Sequence, residues 1–218
     1  MTESDREDAL DLLETGLREV PAYRWVLGEE APAHAYRWYG EVLFAENLAG
    51  MYGVFDESGR LIALAAISEP GRANGIVDAD LKERNRYYVR TLDGFVERFT
   101  EFRRANAEAS VADESIGIIF GLVHPDHRRS GVLSRLVDAI VEKGRRQGLP
   151  VTAGTADPVM SAVYTRRWKS VVRAEYTLTD GPTVWVHRVD PPRGRRAVTD
   201  GPVRPSSRPT PGFRSSRW

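Results

Sequence analysis

Residues 115–137 read SIGIIFGLVHPDHRRSGVLSRLV: a short apolar run, a polar turn and the opening of a helix. A short apolar run bounded by polar residues reads as a buried central strand, here ending at Val123. Leu133, Leu136, Val137, Ile140 and Val141 then recur on one helical face, so a helix begins near Gly131, and Gly148 ends it. Between strand and helix stand His127, Arg128 and Arg129. Helix starts carry partial positive charge from unpaired N–H groups and favour Asp or Glu, so these cations stand against the local field. A strand end, a tight turn and a helix start also gather free N–H groups at one point, and a glycine lets an anion approach the backbone. Nearby arginines can add charge-assisted hydrogen bonds. The stretch fits a bound anion; the plainer reading is a simple strand-to-helix connection with a solvated arginine pair.

The flanking sequence continues this unit in both directions. Downstream, VTAGT (151–155) reads as another strand, and Asp157-Pro158 as a helix cap with proline at the first helical position, the helix running to about Arg167. VVRAEYTL and TVWVHRV then form two strands around the turn TDGP. Upstream, Ser4 to Glu7 reads as a capping box for a helix over about residues 4–19. A second helix covers about Pro32 to Leu48, and residues 51–68 form an antiparallel hairpin that EPGRANG ends. Residues 79–108 carry apolar residues at helical spacing among many charges, which predicts one long amphipathic helix or two shorter ones. Without internal repeats, the outline is a mixed α/β single domain.

Bulk properties narrow the class. The chain has 218 residues, 41% of them apolar, and no cysteine, which excludes thiol nucleophiles, disulfides and thiolate metal sites. The acidic start MTESDREDALDLL differs from a signal peptide, and no apolar run approaches the roughly 18 residues of a membrane span. A soluble, cytoplasmic protein without membrane contact is expected. The formal net charge is zero, yet residues 191–218 hold seven arginines against one Asp, so the tail carries +6 and residues 1–190 carry −6. That Pro- and Arg-rich tail has too little apolar content to offset its ordering entropy and is expected to be disordered and solvated. Binding of the tail to nucleic acid or an acidic partner is the less favoured reading.

The turn is no triphosphate P-loop, because no Lys-Ser/Thr follows a second glycine, and it lacks G-x-G-x-x-G. It resembles the acetyl-CoA loop of the GNAT N-acetyltransferase family, which reads Arg or Gln, two residues, Gly, one residue, then Gly or Ala, soon after Val-x-Pro. Val123-His124-Pro125 and Arg128-Arg129-Ser130-Gly131-Val132-Leu133 follow that pattern, with Leu133 in place of a small residue. The order of elements afterwards also resembles the family, and Tyr164 falls at its thiol-side tyrosine. The likeness covers roughly residues 8–189. It implies a single GNAT domain over residues 1–190: a mixed, mostly antiparallel sheet, flanked by helices, with a V-shaped splay between two parallel strands. The family's first strand is short or absent, because the chain opens on a helix.

The resemblance also implies an activity and a set of roles. It points to an acyl-CoA-dependent N-acyltransferase, with acetyl-CoA as donor and a primary amine of a small molecule attacking directly. No metal is expected. Leu122, Val123, Arg128, Arg129, Ser130, Gly131, Val132 and Leu133 would hold the donor, its pyrophosphate on the loop and its pantetheine arm along Leu122 and Val123. Tyr164 would act on the departing thiol. Where many family members carry a strand Glu as general base, this chain has Gly117. Glu114 acting through a water, His124, or no dedicated base at all stay open. Tyr36, Trp38, Tyr39 and Trp168 are candidates to line the acceptor site, with core packing the alternative for each, and the acidic body would favour a cationic amine. A non-catalytic acyl-CoA sensor, an unusual acyl donor, a protein amine and a homodimer are further alternatives.

Overall fold

The computed structural model describes residues 1–73, 75–110 and 114–192. The expectation for the basic tail, apart from its first two residues, therefore lies outside the described residues. The chain opens on a 3-10 turn, Glu3–Asp5, followed by α1 (Arg6–Leu17), α2 (Pro21–Leu27) and α3 (Ala33–Asn47). The cap of the first helical segment lies two residues earlier than expected: the Asp5 carboxylate accepts from Thr2 N–H at 2.7 Å. Helix α2 has no counterpart in the sequence reading, since Val20 stands at its cap and only Pro21 at its first position marks a helix start.

Strands β1 (Met51–Phe55) and β2 (Leu61–Ser68) form the expected hairpin. Its turn is fixed by the Asp56 carboxylate, which accepts from Ser58 N–H at 2.9 Å and Arg60 N–H at 3.0 Å. The amphipathic stretch resolves into two helices, α4 (Ala79–Thr91) and α5 (Phe95–Ala109). Then come β3 (Ile116–Val123), α6 (Val132–Gln147), β4 (Val151–Thr155), α7 (Pro158–Trp168), β5 (Val171–Thr177) and β6 (Thr183–Val189). The six strands make one sheet in the order β1-β2-β3-β4-β6-β5, antiparallel except between β3 and β4.

Both faces of the sheet are covered, so β2 is apolar and buried from Leu61 to Ile67. One face carries the larger core, built by α1, α2 and α3 around Leu13, Leu17, Phe44 and Leu64. The other face packs Ile62, Ile116, Val132, Leu136, Ile140 and Val151 under α6. A single irregularity in β3 sets up everything that follows. Ala66 pairs with Phe120 and Ile67 with Ile118, which leaves Ile119 as an extra residue. Such a bulge bends its strand and reverses the alternation of side chains beyond it. Accordingly Ile116 and Ile118 point toward α6, whereas Phe120 and Leu122 join the opposite core.

Candidate active site

Pairing between β3 and β4 runs from Ile116–Val151 to Ile118–Ala153 and stops there. Beyond the bulge the two parallel strands separate, and the upper part of β3 has only β2 as a neighbour. His124 N–H donates to Ile62 C=O at 2.8 Å, and Leu122 lies opposite Leu64. Because peptide groups alternate sides along a strand, Leu122 directs its N–H and C=O at β2, while Gly121 and Val123 direct theirs into the gap. Of the two residues expected to meet the pantetheine arm, Val123 turns its backbone groups into the gap and Leu122 turns its own toward β2.

At the upper end of the gap lies the loop that opened the sequence reading. Pro125–His127 form a 3-10 turn, Ser130 Oγ donates to His127 C=O at 2.5 Å, and Arg129 (φ 61°) and Gly131 (φ 82°) are both left-handed. That conformation is costly for any residue with a Cβ, which explains Gly131. No atom lies within 4 Å of where a Gly131 Cβ would stand, so the position is open. The first bond closed by α6 runs from Arg135 N–H to Gly131 C=O at 3.0 Å, leaving the N–H groups of Val132, Leu133 and Ser134 ahead of it. Leu133 rests over Gly121, whose Cβ would stand 3.6 Å from Leu133 Cδ1.

The loop cations divide into engaged and available. The Arg128 guanidinium pairs with Glu19 and its Nε reaches Val123 C=O at 3.5 Å. Arg60 Nη2 lies 3.1 Å from His127 Nε2. Arg129 and Arg135 make no ion pair with a described residue, and Arg135, one turn into α6, was missed because sequence reading stopped at the glycine. The loop therefore has cations to spare around open N–H groups, which is the chemistry of a phosphate site.

Helix α7 begins where Asp157 Oδ1 accepts from Val159 N–H at 2.8 Å. It carries Tyr164 into the cleft between α7 and α6, a cavity of about 20 Å³ bordered by Ile118, Val137, Val141, Thr152, Trp168 and His187. The Tyr164 ring stands perpendicular to His187 with centroids 5.3 Å apart, and its hydroxyl has no hydrogen-bond partner among the described residues. Burial, aided by the Asp157 charge, pushes its pKa up. His187 is 2% exposed, and its two ring nitrogens each meet a serine hydroxyl at 2.9 Å, Ser161 at Nε2 and Ser170 at Nδ1. Desolvation pushes its pKa down, so the ring is neutral. The histidine pins α7 to β6 through Ser161, three residues before Tyr164. Only its position in an otherwise alternating strand, TVWVHRV, could have marked it as buried.

Of the residues expected to line an acceptor pocket, Trp168 lies apart from the other three. Trp168 sits in the α6–α7 cleft, its Nε1 donating to Asp138 at 2.7 Å. Tyr36, Trp38 and Tyr39 lie across the sheet in the large core, at 3%, 4% and 6% exposure. Trp38 stacks on Tyr88 at 4.5 Å and donates to Asn85 at 2.7 Å. Glu114 is exposed at the foot of β3 and makes no ion pair with a described residue. Tyr23, which the sequence reading passed over, belongs to the same core and reaches β3 at the bulge. Its hydroxyl donates to the C=O of the bulged Ile119 at 3.4 Å, and its ring meets Tyr39 at 5.8 Å and Phe102 at 6.3 Å. Tyr176, from β5, donates to Asn106 at 2.8 Å, and burial holds its pKa up at about 12. Among the described residues no group of three or more His, Asp or Glu could hold a metal, and no helix is long and apolar enough to cross a membrane.

No family model matches the chain and no curated protein matches it in sequence. Solved structures do match in shape. A histone acetyltransferase HPA2 and related acetyltransferase from Corynebacterium glutamicum superimposes with a TM-score of 0.65 at 15% identity, covering 88% of this chain and 93% of that one. Arylalkylamine N-acetyltransferase 2 from Aedes aegypti matches with a TM-score of 0.61 at 12% identity, over 87% and 96%. An agmatine N-acetyltransferase variant matches with a TM-score of 0.59 at 14% identity, also over 87% and 96%. With the parallel β3–β4 pair splayed beyond a bulge and the phosphate-type loop at its head, the chain has the fold of the GNAT acetyltransferases.

Proposed function

We propose that this protein transfers an acetyl group from acetyl-CoA to a primary amine of a small molecule. The observation that carries the reading is the gap between β3 and β4, with the N–H groups of Gly121 and Val123 turned into it along one edge and open helix N–H groups at its head. The residues fit the donor. Val132, Leu133 and Ser134 N–H would receive its pyrophosphate, with Arg129 and Arg135 supplying charge. Gly121 and Val123 would pair with the amide groups of the pantetheine arm, and an N–H on this edge would polarise the thioester carbonyl. Bound acetyl-CoA supplies an activated acyl group. The chain holds that group and the amine side by side, which converts a two-body reaction into a local one.

Tyr164 is the residue assigned to the leaving thiol. A tyrosine at about 10 and a thiol at about 8.5 already make full proton transfer uphill by about 2 kcal/mol, and the upward shift of Tyr164 adds to that. The hydroxyl therefore acts as a hydrogen-bond donor to developing thiolate charge and stays protonated. The acceptor is assigned to the alkyl- and arylalkylamines, on the aromatic wall of Tyr23, Tyr39 and Tyr176, the acidic body, and the names of two neighbours. Incubation with acetyl-CoA, agmatine, phenethylamine and other primary amines, followed by mass spectrometry, tests it. N-acetylated amine and free CoA are expected. Acetyl-CoA binding without turnover of any amine would favour a sensor, and acylation of proteins alone would move the assignment to a protein amine.

A further inference from the structure

We propose that Glu46, near the end of α3, is the group that takes the proton from the acceptor amine. The inference rests on the N-acetyltransferase reading above and supplies the base that β3 lacks. Gly117 pairs with Ser68 on β2 and with Thr152 on β4, one position before the strands part. A Cβ on Gly117 would stand 2.6 Å from Ser68 Oγ. The Ser68 hydroxyl occupies the space beside Gly117, and with glycine at this position a base has to come from another element.

Glu46 borders a cavity of about 30 Å³ that Ser68 also borders, together with Asn47, Glu69 and Arg72. That volume accepts at least one water-sized group. The neighbouring carboxylates are committed: Glu69 to Lys143 at 2.8 Å and to Arg72, and Glu41 to Arg84 at 2.6 Å. Glu46 has no hydrogen bond from its side chain and no ion pair within 4.0 Å among the described residues. Partial burial raises its pKa, and Arg103 of α5 opposes that rise only in part. Tyr39 lies seven residues before Glu46, on the same face of α3, and packs on Tyr23, whose hydroxyl reaches the bulged Ile119 at the gap. An uncommitted carboxylate thus shares a cavity with Ser68, the β2 partner of Gly117. Uncommitted, partly buried carboxylates in clefts are candidates for acid–base chemistry.

The step balances as follows. The amine arrives protonated, passes one proton to the Glu46 carboxylate, and its nitrogen lone pair forms the C–N bond to the thioester carbonyl. The C–S bond breaks with its electrons on sulfur. The second nitrogen proton ends on the departing thiolate, giving amide and CoA, and Glu46 returns its proton to solvent. The test measures pH–rate profiles of wild type, Glu46→Gln and Glu46→Asp with acetyl-CoA and whichever amine of the panel is turned over, and the acetyl-CoA affinity of each. Glu46→Gln is expected to lower kcat about 100-fold near neutral pH, to leave acetyl-CoA affinity unchanged, and to recover at alkaline pH where the amine deprotonates in solution. Glu46→Asp is expected to retain part of the rate. A Gln variant with the wild-type rate and acid limb overturns the assignment, and so does a loss that persists at alkaline pH. A wild type that acetylates no amine overturns both this inference and the function it rests on.

Discussion

The proposed donor side and the proposed acceptor side of the gap are built in opposite ways. The donor side is one continuous stretch, β3, the loop and α6, in which strand end, left-handed glycine and open N–H groups follow each other along the chain. The proposed acceptor side draws on Tyr23 on α2, Tyr39 on α3, Asn106 on α5 and Tyr176 on β5, brought together only by folding, and on Glu46 at the end of α3. A contiguous site can bind its ligand with little help from the rest of the core. A dispersed site depends on the packing of every element that contributes to it.

Mutations on the two sides should separate accordingly. Phe44 is fully buried in the core beneath the acceptor side, so Phe44→Ala leaves a cavity and should cost about 3–5 kcal/mol, read from the shift in urea midpoint. The remaining folded protein should still bind acetyl-CoA; weakened binding at low temperature, where folding is complete, would break the division between the two sides. Tyr164→Phe removes one hydroxyl without opening a void. It should lower kcat about tenfold to hundredfold with acetyl-CoA affinity unchanged, in keeping with a hydrogen bond to a charged group. An unchanged kcat would remove the tyrosine from the reaction.

A smaller effect should come from His187, which fastens α7. Its folded pKa lies below the ordinary 6.5, so as pH falls the unfolded chain takes up the proton first. The stabilisation it confers is complete above about pH 6.5 and is lost as pH falls toward the lowered folded value. Replacing it with Gln should lower Tm at neutral pH and flatten the dependence of Tm on pH below 6.5. A slope equal to that of the wild type would show that the ring titrates alike in both states.

The same contrast decides what could be read from sequence. The strand ending at Val123 and the helix starting after Gly131 are local patterns of hydrophobicity and turn chemistry, and the structure has both. So are the Asp157-Pro158 cap and the hairpin around Asp56. The bulge at Ile119 left no mark, because it arises from register against β2 and not from composition. Since side-chain alternation reverses there, Leu122 was assigned backbone groups that Gly121 and Val123 actually direct into the gap. Arg128 invited a direct role at the loop, but its partner Glu19 lies 109 residues away in sequence. The aromatic residues of α3 gave a correct helix and no guide to direction: Tyr36, Trp38 and Tyr39 are buried in the large core, and the sequence offered no reason to single out Tyr23 beside them.

The central claim is that the loop before α6 holds the donor, and calorimetric titration of acetyl-CoA into wild type and Gly131→Glu tests it most directly. The variant places a carboxylate and a strained left-handed residue at φ 82° where phosphate oxygens are expected. Wild type should bind below the millimolar range, and the variant should lose at least about 100-fold in affinity, about 2.7 kcal/mol. A wild type that does not bind acetyl-CoA, or a folded variant that binds it equally well, would contradict the account.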